Sequence, residues 1–354
     1  MDQTPAAVRD PPAAPDGDDR CATPPPVGEP RPSIATPSGD AMDRRLTSIQ
    51  PGGGVVMTLE LAWGELRRRM LRKFRPGYVA RMRSSRQGER GTLPFDPVDP
   101  RDLKYFRNQR THWWADEDDP HRWRDALPFV RAGLAELVVL GGAAVAAAGL
   151  LGSLWWPLAI PPLVVAGLIV WFFRDPPRSI PSAPGAVVSP ADGKLVAIER
   201  IDDPDIGPAV RIGIFLSIFN VHANRAATAG RVVRVDYRPG KMLNALRPES
   251  ARENERLDVL LQAVEPEVPG RSDGGPGLVR VRQITGQFAR RIVCWVRPGD
   301  ELARGEMYGM IKLGSRTELV IPADDRLETV GRIGQKVRAG STVLMRYRVS
   351  DGGS

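Results

Sequence analysis

Leu313-Gly314-Ser315-Arg316 joins two strand-like runs, Met307–Lys312 and Thr317–Ile321. A Gly-Ser pair between strands is ordinarily a bulge or a tight turn. The same pair also permits chemistry, because glycine tolerates a backbone conformation that exposes its carbonyl carbon to the next hydroxyl. Attack by Ser315 on the Gly314 carbonyl would turn the peptide into an ester. β-Elimination of that ester leaves dehydroalanine, and its hydrolysis leaves a pyruvoyl group. Such a carbonyl is an electron sink of the kind pyridoxal phosphate provides.

A serine used in this way needs a base. His222, in Phe219-Asn220-Val221-His222-Ala223-Asn224-Arg225, follows the apolar run Ile212–Ile218 and is the only histidine after residue 121. A lone histidine at a strand end often serves structure alone. Oriented by a carboxylate, it becomes a base able to take the Ser315 proton. Asp192, in Ser189-Pro190-Ala191-Asp192-Gly193, is the candidate orienting group, although Asp-Gly is equally an ordinary hairpin turn. Asp192 and Ser315 are far apart in the chain, so only the fold can bring the three together.

The elements that must position these residues are mostly β. Gly185–Val188, Leu195–Ile198, Val210–Ile218, Val232–Tyr237, Leu278–Val281, Leu319–Ile321 and Thr342–Val349 are rich in Val and Ile and are separated by turn residues. They predict a compact barrel or sandwich with one helix at Leu257–Ala263 or Gly286–Val296. Ahead of them, Leu137–Phe173 carries no charged residue. That run is too long for one bilayer crossing of about 20 residues and nearly long enough for two. Trp155-Trp156-Pro157 and Pro161-Pro162 predict a break between two short helices. Arg122, Arg124 and Arg131 on one flank, with Arg174 and Arg178 on the other, place both ends on the cytoplasmic side by the positive-inside rule. A buried pair of soluble helices is the competing explanation.

The N-terminal region divides in two. Residues 1–56 are Pro- and Gly-rich without hydrophobic period, and a disordered tail is expected there. From Leu59 to Arg86, Leu, Trp, Met and Phe alternate with many arginines. That pattern suits either a basic amphipathic helix on an anionic membrane or a solvated basic linker, with Pro76-Gly77 as a helix break.

Composition excludes several classes. Net charge is +8 and six of the 50 basic residues are lysine, so basicity alone invites nucleic acid or anionic lipid. No aromatic stripe for base stacking accompanies it, which argues against a nucleic-acid partner. Two cysteines, Cys21 and Cys294, and three histidines exclude a disulfide scaffold and a zinc-finger centre, and no metal is expected.

Taken in order, six segments form a distinctive set: Arg174-Asp175-Pro176-Pro177-Arg178, Ser189–Gly193, Phe219–Arg225, Glu253-Asn254-Glu255-Arg256, Gln283-Ile284-Thr285-Gly286 with Ala289-Arg290-Arg291-Ile292, and Leu313–Arg316. The set resembles the phosphatidylserine decarboxylase proenzyme family in its short bacterial form, from about Pro157 to Arg348. The resemblance implies self-cleavage between Gly314 and Ser315 into a large chain, 1–314, and a small chain, 315–354, that remain together as a heterodimer. It implies a pyruvoyl cofactor made from Ser315, to which the amine of membrane phosphatidylserine adds before carbon dioxide is lost and phosphatidylethanolamine released. Ser315, His222 and Asp192 would then be catalytic, and charge and motif position make Arg225, Arg290 or Arg291 the candidates for contacting the lipid phosphate. Long-form members carry a second histidine where Arg225 stands, and Ala226-Ala227-Thr228 replaces a proline-containing stretch.

The expected organisation is therefore a tail (1–56), a basic, partly helical extension (57–131), a membrane hairpin (132–174) and a mainly β (α+β) catalytic domain (175–354) on the cytoplasmic side of the cell membrane. The competing function is a noncatalytic, membrane-tethered carrier or adaptor. Gly334–Gly340 resembles the turn of lipoyl-type barrels, but the modifiable lysine at a hairpin tip is missing.

Overall fold

The structure is a computed structural model describing residues 48–348, apart from residues 52, 54, 89–94, 104–111, 245–248, 265–267, 269–276, 288–290 and 313. The tail expected over residues 1–56 lies largely outside the described residues. Just inside them, Ile49 is buried, and its carbonyl accepts a hydrogen bond from the Cys294 N–H at 2.9 Å.

Helices α1 (Val55–Phe74) and α2 (Pro76–Ser85) lead the chain. Pro76 starts α2, where its missing N–H costs no helical hydrogen bond. The two-residue strands β1 (Gln87–Gly88) and β2 (His112–Trp113) follow. Helices α3 (Leu134–Leu154) and α4 (Ile160–Phe173) form the hairpin, joined by a 3-10 turn at Trp156–Ala159. Two segments, Arg131–Leu154 and Trp156–Phe173, are long and apolar enough to cross a membrane. Their outward side chains are apolar, including Val138, Leu150, Leu154 and Trp156. The base of the hairpin is clipped shut by an antiparallel bridge between Phe129 and Arg174. There the Val130 N–H donates to Phe173 O at 2.9 Å, and the Asp175 N–H to Pro128 O at 2.8 Å.

The rest is mainly β. The strands are β3 (Ala186–Val188), β4 (Gly193–Asp203), β5 (Gly207–Leu216), β6 (Ala223–Arg225), β7 (Gly230–Arg238), β8 (Arg256–Ala263), β9 (Leu278–Thr285), β10 (Arg291–Cys294), β11 (Glu301–Leu302), β12 (Met307–Lys312), β13 (Ser315–Pro322), β14 (Leu327–Thr329), β15 (Lys336–Val337) and β16 (Val343–Tyr347). Among the described residues, only the one-turn helix α5 (Ser250–Glu253) interrupts them. The helix expected at Leu257–Ala263 is instead strand β8, and the alternative place for it, Gly286–Val296, contains strand β10. Alternation explains the first case: Leu257, Val259 and Leu261 point into the core at a period of two, which a helix would scatter around its axis.

The main sheet is antiparallel throughout, in the order β11-β7-β8-β9-β13-β5-β4-β15. Two three-stranded sheets, β10-β12-β6 and β14-β16-β3, complete the domain. The core lies on one face of the main sheet, built from alternate residues such as Ile212, Ile214 and Leu216 of β5, Val279 and Val281 of β9, and Leu319 and Ile321 of β13. Burying aliphatic side chains of this size contributes roughly 1.5–3 kcal/mol each, the dominant stabilising term here.

Strand β13 is buried on both faces. On its outer face Arg316, Glu318, Arg282 and Asp258 form an ion-pair network, with Arg316 to Glu318 at 2.9 Å and Arg282 to Asp258 at 2.7 Å.

Candidate active site

Period-two alternation places Ser315 and Thr317 on the same face of β13 as Leu319 and Ile321. Ser315 lies opposite Thr285 of β9 and Leu216 of β5, and Thr317 lies opposite Gln283. The core face thus turns from apolar to polar over its last two pairs. Covering that polar end is β6, whose Asn224 donates to Thr317 Oγ1 at 3.0 Å and accepts from Gln283 Nε2 at 2.9 Å. The backbone is tied as well: Ile311 N–H donates to His222 O at 3.2 Å, holding the segment before β6 against β12.

Gly314 has φ +53°, in the left-handed region that favours glycine. A Cβ there would meet no atom within 4 Å, so the requirement for glycine comes from backbone conformation and not from crowding. Its N–H donates to His222 Nε2 at 3.3 Å. The other ring nitrogen, Nδ1, is 2.8 Å from the Asn220 carbonyl, which can only accept, so the proton of the neutral ring sits on Nδ1. The Nε2 lone pair is the one that accepts the N–H of Gly314, the residue before Ser315.

His222 is fully buried, and Phe172 of α4 lies over its ring at 4.4 Å between centroids. Burial pushes the imidazole down to about 4, opposed by the Asn220 hydrogen bond and reinforced by the nearby Arg174 charge. Ser315 Oγ is buried and has no hydrogen-bond partner among the described residues. A buried hydroxyl without a partner costs stability, which makes it a candidate reacting group and not a structural one.

Asp192 is not the group that orients His222. Its Oδ2 accepts from Arg178 at 3.0 Å and its Oδ1 from the Ala339 N–H at 2.7 Å, while the Asn220 carbonyl takes the histidine Nδ1. The physical reason is charge: a histidine kept neutral by burial needs an acceptor but no counter-ion, whereas the Asp192 carboxylate needs Arg178. Asp192 is still close to the site through its own loop, since the Pro190 carbonyl accepts from the Arg225 N–H at 2.9 Å. Gly193 is required where that loop enters β4, because a Cβ would meet Phe215 O at 2.2 Å.

Of the three arginines expected to meet phosphate, Arg225 is committed elsewhere. Its guanidinium bonds both Asp175 oxygens at 2.7 and 2.9 Å and the Gly305 carbonyl at 2.9 Å. Arg291 is half-buried at the start of β10, opposite Lys312. It lies close enough to Glu255 to oppose the upward push that burial exerts on that carboxyl. Arg290 lies outside the described residues.

The sequence reading missed two of the contacts that join hairpin to site. One is Phe172 on His222. The other is a buried ion pair between Glu136 of α3 and Lys312, two residues before Gly314. A lone glutamate at the start of an apolar helix is the one signal that pointed to the second, since an unpaired charge there would be costly. Asn220 acts through its backbone, which leaves no side-chain signature. Among the described residues no group of His, Cys, Asp and Glu could hold a metal ion. Lys336 sits within strand β15 opposite Lys194 and not at a hairpin tip, as a carrier module would need.

The family model described as phosphatidylserine decarboxylase matches residues 165–345. A protein of Rhodopirellula baltica called phosphatidylserine decarboxylase proenzyme is 63% identical over 246 residues, covering 70% of this chain and 99% of that relative. Proteins of the same name from Cupriavidus pinatubonensis and Nitrosomonas europaea are 41% and 37% identical, covering 54% and 63% of this chain and 82% and 94% of theirs. The matched span contains β3 to β15 whole and, within it, Asp192, His222, Gly314 and Ser315; on that extent and identity the chain belongs to the phosphatidylserine decarboxylase family.

Proposed function

We propose that the chain cleaves itself between Gly314 and Ser315 and, with the pyruvoyl group so formed, decarboxylates phosphatidylserine to phosphatidylethanolamine. The observation that carries this reading is the unpartnered, buried Ser315 Oγ next to a left-handed Gly314 whose N–H meets His222 Nε2. These residues suit conversion of Ser315, because nothing among the described residues uses its hydroxyl.

In the self-cleavage, Ser315 Oγ adds to the Gly314 carbonyl carbon, His222 Nε2 takes the hydroxyl proton, and that proton goes to the Ser315 nitrogen as the C–N bond breaks. The ester is then eliminated: the Ser315 α-proton is removed, the Cβ–O bond breaks, and Gly314 departs as a carboxylate. Water hydrolyses the resulting enamine after tautomerisation, releasing ammonia. A pyruvoyl group supplies a carbonyl that takes up the electron pair left when the substrate carboxylate departs as carbon dioxide.

In the lipid reaction the chain's own residues bind and exclude water. His222 holds a proton-accepting Nε2 at the segment that carries the new N-terminus. Arg291 is the remaining described arginine of the three with a role at the lipid phosphate, whereas Arg225 fixes Asp175 and the chain leaving the hairpin. Phe172 and the apolar end of α4 keep bulk water from the histidine ring. The hairpin holds the site at the cytoplasmic face of the membrane, where the substrate headgroup lies.

The test is intact-mass analysis of purified protein together with a carbonyl-trapping reagent. The expected products are chains 1–314 and 315–354, with a ketone in place of the small chain's amino terminus. A single uncut chain that nevertheless decarboxylates phosphatidylserine would overturn the proposal.

A further inference from the structure

Helix α1 turns two of its arginines inward and presents an apolar stripe outward. At 100° per residue, Leu59, Trp63, Leu66, Met70 and Phe74 fall within an arc of about 80°, a stripe about 22 Å long. All five are exposed, by 59%, 58%, 48%, 46% and 69% respectively. The face turned inward holds Met57 and Gly64, both buried, and half-buried Arg67 and Arg68. Those two arginines reach the buried carboxylates: Arg67 pairs with Asp102 and lies 3.6 Å from Asp99, and Arg68 lies 3.4 Å from Asp102. Asp102 is held in turn by the Val98 N–H at 2.7 Å, and Arg68 stacks on Phe95 at 3.7 Å from the ring centroid. A water-soluble helix of this composition would be turned the other way, because burying five large apolar side chains is strongly favourable. The buried ion pairs fix the orientation that exposes them.

We infer that α1 is an interfacial element that lies on an anionic lipid bilayer with this stripe inserted among the acyl chains. Charge complementarity selects the occupant. Lys73 and Arg75 are exposed beside the lower end of the stripe, and Arg72 is exposed one turn before Pro76. A cationic rim of this kind meets lipid phosphates favourably. Pairing two such stripes from two copies would bring the same cations together. The helix lies outside the span matched by the family model, so this contact is a property of the extension and does not depend on the decarboxylation chemistry.

The experiment uses the full chain carrying Cys21→Ser, with Trp63→Cys as the site of an environment-sensitive fluorophore and Leu61→Cys as the opposite-face control. Each labelled protein is reconstituted into phosphatidylcholine vesicles with or without phosphatidylglycerol, including a lipid with a nitroxide on its acyl chain. The label at 63 should shift to the blue and be quenched in the anionic vesicles, while the label at 61 stays unquenched. Replacing Lys73→Glu and Arg75→Glu together should reduce quenching at 63. Equal quenching at both positions, or none at either, overturns the inference. A blue-shifted label at 63 untouched by the nitroxide also overturns it, since a protein surface, from a second copy or from residues 1–47, would then cover the stripe.

Discussion

His222 Nε2 accepts the Gly314 N–H at 3.3 Å while its Nδ1 is 2.8 Å from the Asn220 carbonyl, so a neutral imidazole of one tautomer faces the peptide that precedes Ser315. The arrangement needs no carboxylate partner, because burial, reinforced by the nearby Arg174 charge, keeps the ring unprotonated.

Ser315→Ala should leave one uncut polypeptide without decarboxylase activity. Because Ser315 Oγ makes no hydrogen bond among the described residues, loss of the hydroxyl should itself cost the uncut chain less than about 1 kcal/mol. Denaturing electrophoresis and a urea melt read the two effects separately; cleavage in the variant would remove Ser315 as the nucleophile.

His222→Gln should slow maturation by about 10²–10⁴-fold, the usual worth of a positioned base. Gln retains a donor for the Asn220 carbonyl, so folding should survive better than in His222→Ala. A time course of small-chain appearance measures the rate, and an unchanged rate excludes His222 from cleavage.

Acid should destabilise the protein through the same residue. The folded imidazole titrates at about 4, below its ordinary 6.5, so between those values the unfolded chain holds a proton that the folded chain lacks. Stability from this group is therefore full above about pH 6.5 and is lost as pH falls toward 4, by on the order of 3 kcal/mol. Urea midpoints at pH 7 and pH 4.5 should differ less in His222→Gln than in the parent; equal differences would assign the acid sensitivity elsewhere.

Glu136→Gln should cost roughly 3–5 kcal/mol by leaving Lys312 buried without its counter-charge, and should slow cleavage two residues further on. Glu136→Leu with Lys312→Met should recover most of the stability, as apolar groups of similar size need no partner. Melting temperatures in detergent, with cleavage followed in parallel, separate the electrostatic contribution from hairpin packing.

Arg291→Ala should raise KM for the lipid with kcat little changed, the signature of lost substrate binding. Arg225→Ala should instead lower stability, because it strands Asp175 in a half-buried site. If Arg225→Ala raised KM without loss of stability, the two roles would have to be exchanged.

Much of the fold was legible along the chain. Val/Ile-rich runs separated by turn residues predicted most of the long strands, and the uncharged stretch from Leu137 to Phe173, broken at Trp155-Trp156-Pro157, predicted the hairpin. The error at Leu257–Ala263 arose where a short apolar run fits helix and strand alike and only its pairing between β7 and β9 decides. Residues Gly314, Ser315 and His222 stood out by type and by position at strand ends. Their mutual placement did not, since 92 residues separate His222 from Gly314.

By itself the sequence determined which groups are capable of chemistry and which segments avoid water, because side-chain type and hydrophobic period are local properties. Tertiary structure alone decided which acceptor holds His222, that Arg178 claims Asp192, that Arg225 is tied to Asp175, and that the hairpin reaches the site through Phe172 and Glu136. These are competitions among distant charges and acceptors for a few buried positions. Their outcome depends on desolvation and geometry that exist only once the sheets have packed.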